Sequence, residues 1–169
     1  MKRIVVYQSG TGFTAKYAGW IAEELGCEAI EYKRMNSKDL ADFDMVIYGG
    51  WIMAGRVVGY DKIKELHLKN VVVFGVGMTV PGDGLAEKIA AENQIPAEKF
   101  FYFEGGYNPQ KVGFVKKMMV NMIKKSLEKK EEKTEEDLHQ LETFAGADRT
   151  ERGAIRKLIE KVHTESGMK

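Results

Sequence analysis

The sequence predicts an α/β fold: an open, doubly wound parallel sheet of five strands, covered by helices on both faces and followed by extra C-terminal helices. Three observations carry that expectation. Short runs rich in β-branched and aromatic residues alternate with helix-period stretches through the first hundred residues. Glycine-rich segments follow several of these runs, at Ser9, Gly49, Gly75 and Gly105. After Gly106 the glycine and β-branched content thins, and Lys, Glu and Met dominate to the end of the chain. With 169 residues, 44% of them hydrophobic, the chain can bury one sizeable core without a metal or disulfide staple. A single domain is expected, with residues 1–109 as its α/β core and residues 110–169 as a helical extension.

Taken in order, residues 3–8 read as a buried strand through Ile4, Val5, Val6 and Tyr7. Residues 14–25 place Ala15, Ala18, Ile21, Ala22 and Leu25 on one helical face. Residues 27–33 form a weaker strand, and residues 44–50 and 70–76 two strong ones. A helix over residues 85–93 carries Leu85, Ile89 and Ala90, and a strand over residues 99–104 closes the series. Alternation of this kind forces parallel pairing through right-handed crossovers, and such sheets bind ligands beyond the carboxyl ends of their strands. Breaks at residues 131–134 and 146–149 divide the extension into helices over 110–130, 135–145 and 151–163. The terminal Ser166-Gly167-Met168-Lys169 has no apolar anchor and is expected to fray.

The balance of 26 Lys and Arg against 25 Asp and Glu is too even for a whole-surface nucleic-acid binder or an acidic carrier. The lone cysteine, Cys27, excludes an internal disulfide and a multi-thiolate metal site. It is expected as a small buried hydrophobe in the second strand of a cytoplasmic protein. No apolar stretch is long enough to span a bilayer. His67, His139 and His163 lack metal-ligand spacing, and no Ser/His/Asp or paired-carboxylate pattern stands out. No metal site and no hydrolytic chemistry are expected.

The most informative segment is Ser9-Gly10-Thr11-Gly12-Phe13-Thr14, directly after the first strand and at the start of the first helix. A helix start offers unpaired amides and the positive end of the helix dipole, and Gly10 and Gly12 permit close backbone approach. The hydroxyls of Ser9, Thr11 and Thr14 add donors for a phosphate with no cation nearby in sequence. A Walker loop is excluded because Lys16 stands two residues beyond Thr14. Three readings stay open: a cradle for a terminal phosphomonoester, a dinucleotide fingerprint through Gly10, Gly12 and Ala15 with Glu31 on the second strand, and a structural turn in which Thr14 is only an N-cap.

The loop resembles the FMN-phosphate loop of the flavodoxin superfamily, Ser/Thr-x-Thr-Gly-x-Thr, at all four defined positions. That resemblance implies the strand order 2-1-3-4-5, FMN as cofactor, and two further flavin-contacting loops. The first is Tyr48-Gly49-Gly50-Trp51-Ile52-Met53-Ala54-Gly55-Arg56. Here Trp51 is expected to stack on the ring or cover its edge, or else to sit in the core, and Gly50 or Gly55 to turn a carbonyl toward flavin N5. Arg56 is expected either in solvent or at the pyrimidine edge. In the second loop, Gly75 to Gly84, the contacts fall to Gly77, Met78 and Thr79, and the stacking tyrosine of typical flavodoxins is missing. Residues 105–109 end the fifth strand and are expected to reach the same rim.

From Lys111 to Lys130 the chain carries seven lysines and one glutamate, a local +6 against +1 for the whole chain. Val112, Val115, Met118, Met119, Met122 and Ile123 share one helical face, with Lys116, Lys117, Lys124 and Lys125 beside or opposite it. Such a helix either docks its Met face on the sheet or contacts anionic membrane and admits an apolar substrate. The segment, with residues 49–56, residues 105–109 and the acidic stretch over 134–144, resembles the menaquinone-dependent protoporphyrinogen dehydrogenases, although the last helix goes beyond that pattern. The resemblance implies an FMN-dependent oxidoreductase with a quinone or porphyrin substrate, peripheral to the inner face of the membrane. The other class in play is a flavodoxin-type electron carrier between redox proteins. A flavin-free regulatory or scaffold module is a third.

Overall fold

A computed structural model describes residues 1–167. The chain runs β1 (Arg3–Tyr7), α1 (Phe13–Leu25), β2 (Glu28–Glu31), β3 (Met45–Met53), β4 (Arg56–Val57), α2 (Tyr60–Lys64), β5 (Val71–Gly77), α3 (Leu85–Glu92), β6 (Phe100–Glu104), α4 (Phe114–Glu128), α5 (Glu135–Phe144) and α6 (Arg156–Glu165), with short 3-10 turns between some of them. Five strands pair in parallel in the order β2-β1-β3-β5-β6, which is 2-1-3-4-5 when only the parallel strands are counted. The predicted doubly wound sheet is therefore present, and β4 is an addition to it.

Alternation along the strands divides the core. Val5, Ile47, Phe74 and Phe103 face one side, where Ala18, Ile21 and Leu25 of α1 and Leu158 and Val162 of α6 cover them. Ile4, Val6, Tyr48 and Val73 face the other, under Ile63 of α2 and Ile89 and Ala90 of α3. Ile4, Val5 and Val6 are all buried, as expected for a strand covered on both faces. A third, smaller cluster joins Tyr107, Val120, Leu127 and Phe144 beneath α4 and α5. Cys27 lies in the turn before β2 and packs half-buried against the first core, where burial raises its thiol pKa.

Several boundaries move for local reasons. The strand predicted over residues 27–33 is shorter because residues 32–34 wind into a 3-10 turn. The helix predicted from residue 110 starts at Phe114, after Gly113 in an extended conformation. The last helix begins with a 3-10 turn over Arg152–Ile155 and runs on to Glu165. Ser166 closes it, its amide reaching the Val162 carbonyl at 3.0 Å and its Oγ donating to the same carbonyl at 2.6 Å. The expected fraying thus does not reach Ser166; Met168 and Lys169 lie outside the described residues. Among the described residues no helix is long and apolar enough to cross a membrane.

Candidate functional site

The loop between β1 and α1 sits at the carboxyl end of the sheet. It is anchored by the Gln8 amide on the Gly49 carbonyl at 2.9 Å, and Ser9 Oγ accepts the Gly12 amide at 3.1 Å. Gly12, at φ 105, is the residue that caps α1, and no side chain bonds there. The alternative in which Thr14 is only an N-cap therefore does not hold: the cap is Gly12, two residues earlier, in a left-handed conformation that glycine takes without strain. Thr14 is 2% exposed and yet lines the cleft beyond the loop. Among the described residues, the amides of Thr11, Phe13 and Thr14 donate to no protein group. Lys16 is turned away, bonded to Asp148 at 2.9 Å.

The second wall differs from the predicted loop. Gly50, Trp51, Ile52 and Met53 continue β3 as a strand, and a two-residue turn at Ala54 (φ 49) and Gly55 (φ 76) folds it back into β4. Asn93, buried at the end of α3, holds this hairpin. Its Oδ1 accepts the Val57 amide at 2.9 Å, and its Nδ2 donates to the carbonyls of Gly55 at 2.8 Å and Ile89 at 2.7 Å. The Gly55 carbonyl is therefore engaged away from the cleft. Arg56 also points away, its guanidinium on the Glu92 carbonyl at 2.7 Å and on Asp61 at 3.2 Å, because antiparallel pairing puts it on the α3 side of the hairpin. Gly50 cannot carry a side chain, since a Cβ there would stand 2.5 Å from the Val58 carbonyl oxygen. Trp51, Ile52, Met53 and Ala54 line the cleft.

The third wall comes from β5 and β6. Val76, Gly77 and Met78 line the cleft, whereas Thr79 is pulled toward β6 and lines neighbouring grooves. The Tyr102 hydroxyl accepts the Thr79 amide at 3.1 Å and donates to its carbonyl at 2.8 Å. Burial raises the Tyr102 pKa, so it remains a protonated clamp. Gly105, Gly106 and Tyr107 reach the cleft, while Asn108 and Pro109 face another groove behind Phe13.

Helix α4 forms the roof, with Val112 just before it. Val112, Lys116, Met119, Val120 and Ile123 line the cleft. The helix docks through Val120 and Leu127, and of the two readings of its Met face the docked one does not hold: Phe114 is 82% exposed, Met122 66%, and Val115, Met118, Met119 and Ile123 are also exposed. The residues that share the predicted face do so, but the small cluster around Tyr107 and Phe144 accepts only its flank, through Val120, Leu127 and Val112.

A family model described as Flavodoxin domain matches residues 4–135. The chain belongs to the flavodoxin-domain family. Among solved structures it is similar to oxidised flavodoxin 2 from Bacillus cereus, at 22% identity over 62% of this chain and 84% of that one, with a TM-score of 0.45. It is also similar to a flavodoxin from the domain Archaea, at 17% identity over 62% and 85%, with a TM-score of 0.43. A mutant flavodoxin from Fusobacterium nucleatum bound to flavin mononucleotide is similar at 21% identity over 46% and 52%, with a TM-score of 0.38. No curated protein matches the chain.

A flavodoxin domain takes FMN, and the residues present fit that group. The loop supplies free amides and hydroxyls for a phosphate. The adjoining cleft of about 270 Å³ is apolar apart from a few polar groups, as a planar ring requires. Trp51 Nε1 is buried and, among the described residues, has no partner, which is the kind of orphan a ligand acceptor satisfies. A wider groove of about 980 Å³ lies between residues 79–88 and the start of α5, but it is open, and its three carboxylates, Asp83, Glu135 and Glu136, outnumber Lys88 and disfavour an anion. No cluster of His, Cys, Asp and Glu among the described residues could hold a metal ion.

Proposed function

We propose that the protein is an FMN-dependent oxidoreductase that exchanges electrons with a small apolar acceptor or donor of the quinone or porphyrin type, delivered at an anionic membrane surface. The flavin ring supplies the redox chemistry, and the chain holds, orients and shields it. Ser9, Gly10, Thr11, Gly12, Phe13 and Thr14 would hold the phosphate, while Trp51, Ile52, Met53, Gly77 and Met78 would border the ring. One observation supports the enzyme reading above that of an electron carrier. The exposed apolar face of α4 is continuous with the cleft through Met119 and Ile123, which belong to both. Lys117 and Lys125 line a groove on that face together with Phe114, Met118 and Met122, so an anionic surface and an apolar solute fit the same side.

Liposome cosedimentation with flavin reoxidation tests this reading. Each lysine near an anionic surface contributes on the order of 1 kcal/mol, so changing Lys117 and Lys125 together to Gln should lower membrane partitioning by roughly 30-fold at low salt. Salt should lower wild-type partitioning in the same way. Reduced wild-type protein should be reoxidised by a short-chain quinone faster than by a protein acceptor. If it ignores anionic liposomes and quinones and its reduction splits into two well-separated one-electron steps, the carrier reading replaces this one.

A further inference from the structure

The loop that would take the FMN phosphate has no cation near it in sequence except Lys16, and Lys16 is paired with Asp148. The structure brings another from about a hundred residues downstream. Lys116 enters from α4, its ammonium 4.3 Å from the centre of the Trp51 ring and 4.0 Å from where a Cβ of Gly10 would stand. Among the described residues it is the single charged side chain lining the cleft, and it has no carboxylate partner. Its neighbours Lys117 and Lys125 are exposed, and Lys124 is spent on Glu128 at 3.9 Å. An ammonium held over an indole face and beside Gly10 of the loop, with no carboxylate partner, is poised for an anionic ligand.

We infer that Lys116 is the phosphate-site cation of this protein, supplied by the added helix rather than by the loop. The inference rests on the FMN reading and deepens it. Loading the phosphate then does more than fill the loop: the charge that it pairs with sits on α4, so the same contact fastens the roof over the cleft. Trp51 takes part because its ring supports the ammonium from below. A ligand with the same ring system and no phosphate, riboflavin, lacks the group that makes this contact and leaves α4 as it was.

The test compares FMN with riboflavin on the full chain. Flavin-fluorescence titrations should show Lys116→Gln weakening FMN about 10-fold, as loss of a charge-assisted hydrogen bond does, and changing riboflavin by less than about twofold. Lys116→Arg should restore most of the FMN affinity, and Lys117→Gln should leave both ligands unchanged. Added salt should weaken FMN binding less in Lys116→Gln than in wild type. In limited trypsinolysis FMN should slow cleavage within α4 and riboflavin should not. The inference is overturned if Lys116→Gln keeps the wild-type ratio of FMN to riboflavin affinity, or if riboflavin protects α4 as well as FMN does. Wild-type protein that binds neither flavin would instead overturn the FMN reading itself.

Discussion

Two helices of the C-terminal extension, α4 and α6, both carry apolar and basic residues and use them in opposite ways. In α6 the apolar side chains go inward: Leu158 and Val162 are fully buried beside Val5, Ile21 and Ile47. Its end is tied to the sheet by Asn70 on Glu165 at 2.7 Å and by Lys99 at 3.8 Å. In α4 two residues dock and six large apolar ones, from Phe114 to Ile123, are exposed. Among the described residues the first face of the sheet is covered by α1, by Ile155 and by α6, so α6 is part of the fold. By contrast, α4 carries more apolar surface than the fold uses. Exposed apolar side chains gathered on one helix beside a cleft mark an interaction surface.

The comparison breaks most readily on stability. Leu158→Ala removes a fully buried side chain from the larger core and should cost about 2–5 kcal/mol in urea denaturation, because the packed surroundings of α1 and β5 cannot collapse into the space. Met122→Ala on the outer face of α4 should change stability by less than about 0.5 kcal/mol. Comparable losses at the two positions would show that α4 is as much a part of the core as α6 is.

Next in size is Asn93, which serves neither helix but shapes the wall that faces α4. Asn93→Ala leaves the Val57 amide and the Gly55 carbonyl without partners in a buried hairpin and should cost about 1–3 kcal/mol. The turn at Ala54 and Gly55 should loosen as well. With Trp20, which packs on the Leu158 cluster, replaced by Phe throughout, Trp51 fluorescence should then shift toward that of a solvated indole, whereas in Leu158→Ala the folded fraction should keep the emission of that background. Unchanged Trp51 emission in Asn93→Ala would mean that the hairpin is held by strand pairing alone.

What the sequence made legible follows the range of the interactions involved. The parallel strands, their order through the resemblance, and the loop from Ser9 to Thr14 are written in contiguous residues. The hairpin was hidden because β4 is two residues long and its turn, Ala54-Gly55, is not the Asn-Gly or Asp-Gly pair that announces positive φ at both positions. Arg56 was drawn toward the flavin by its position at a strand end, yet the direction of its side chain depends on β4 pairing and on Glu92, both invisible locally. Asn93 read as a helix end because its three hydrogen bonds reach residues four and about forty positions away. Lys116 was grouped with the outward lysines, since a helical wheel ranks residues by face and does not say which face turns inward when both carry apolar groups. A signal for it was present in the loop itself: hydroxyls and amides without a cation leave a phosphate's charge to be met from elsewhere.

The smallest effect expected concerns how α4 is fastened. Asp137, in the first turn of α5, is held well below the usual carboxylate range, to about 2, first by the Lys130 ammonium at 2.8 Å and then by the Thr134 amide at 3.0 Å. Lys130 lies just past the end of α4, so this ion pair joins the roof to the helix behind it. The folded pKa is depressed, so the stability it contributes is complete above the ordinary carboxylate pKa of about 4 and is lost as pH falls toward about 2. The capping box formed by Thr134 and Asp137 weakens over the same window. Between about pH 4 and pH 2, protection from hydrogen exchange, taken relative to the intrinsic rate at each pH, should therefore fall at the start of α5 and the end of α4 before it falls in α6. In Asp137→Asn those two helix ends should exchange faster at neutral pH and show little further change across that window. If α6 opens together with α4 as the pH falls, the two helices belong to one cooperative unit, and the contrast between an accessory roof and a completed core does not hold.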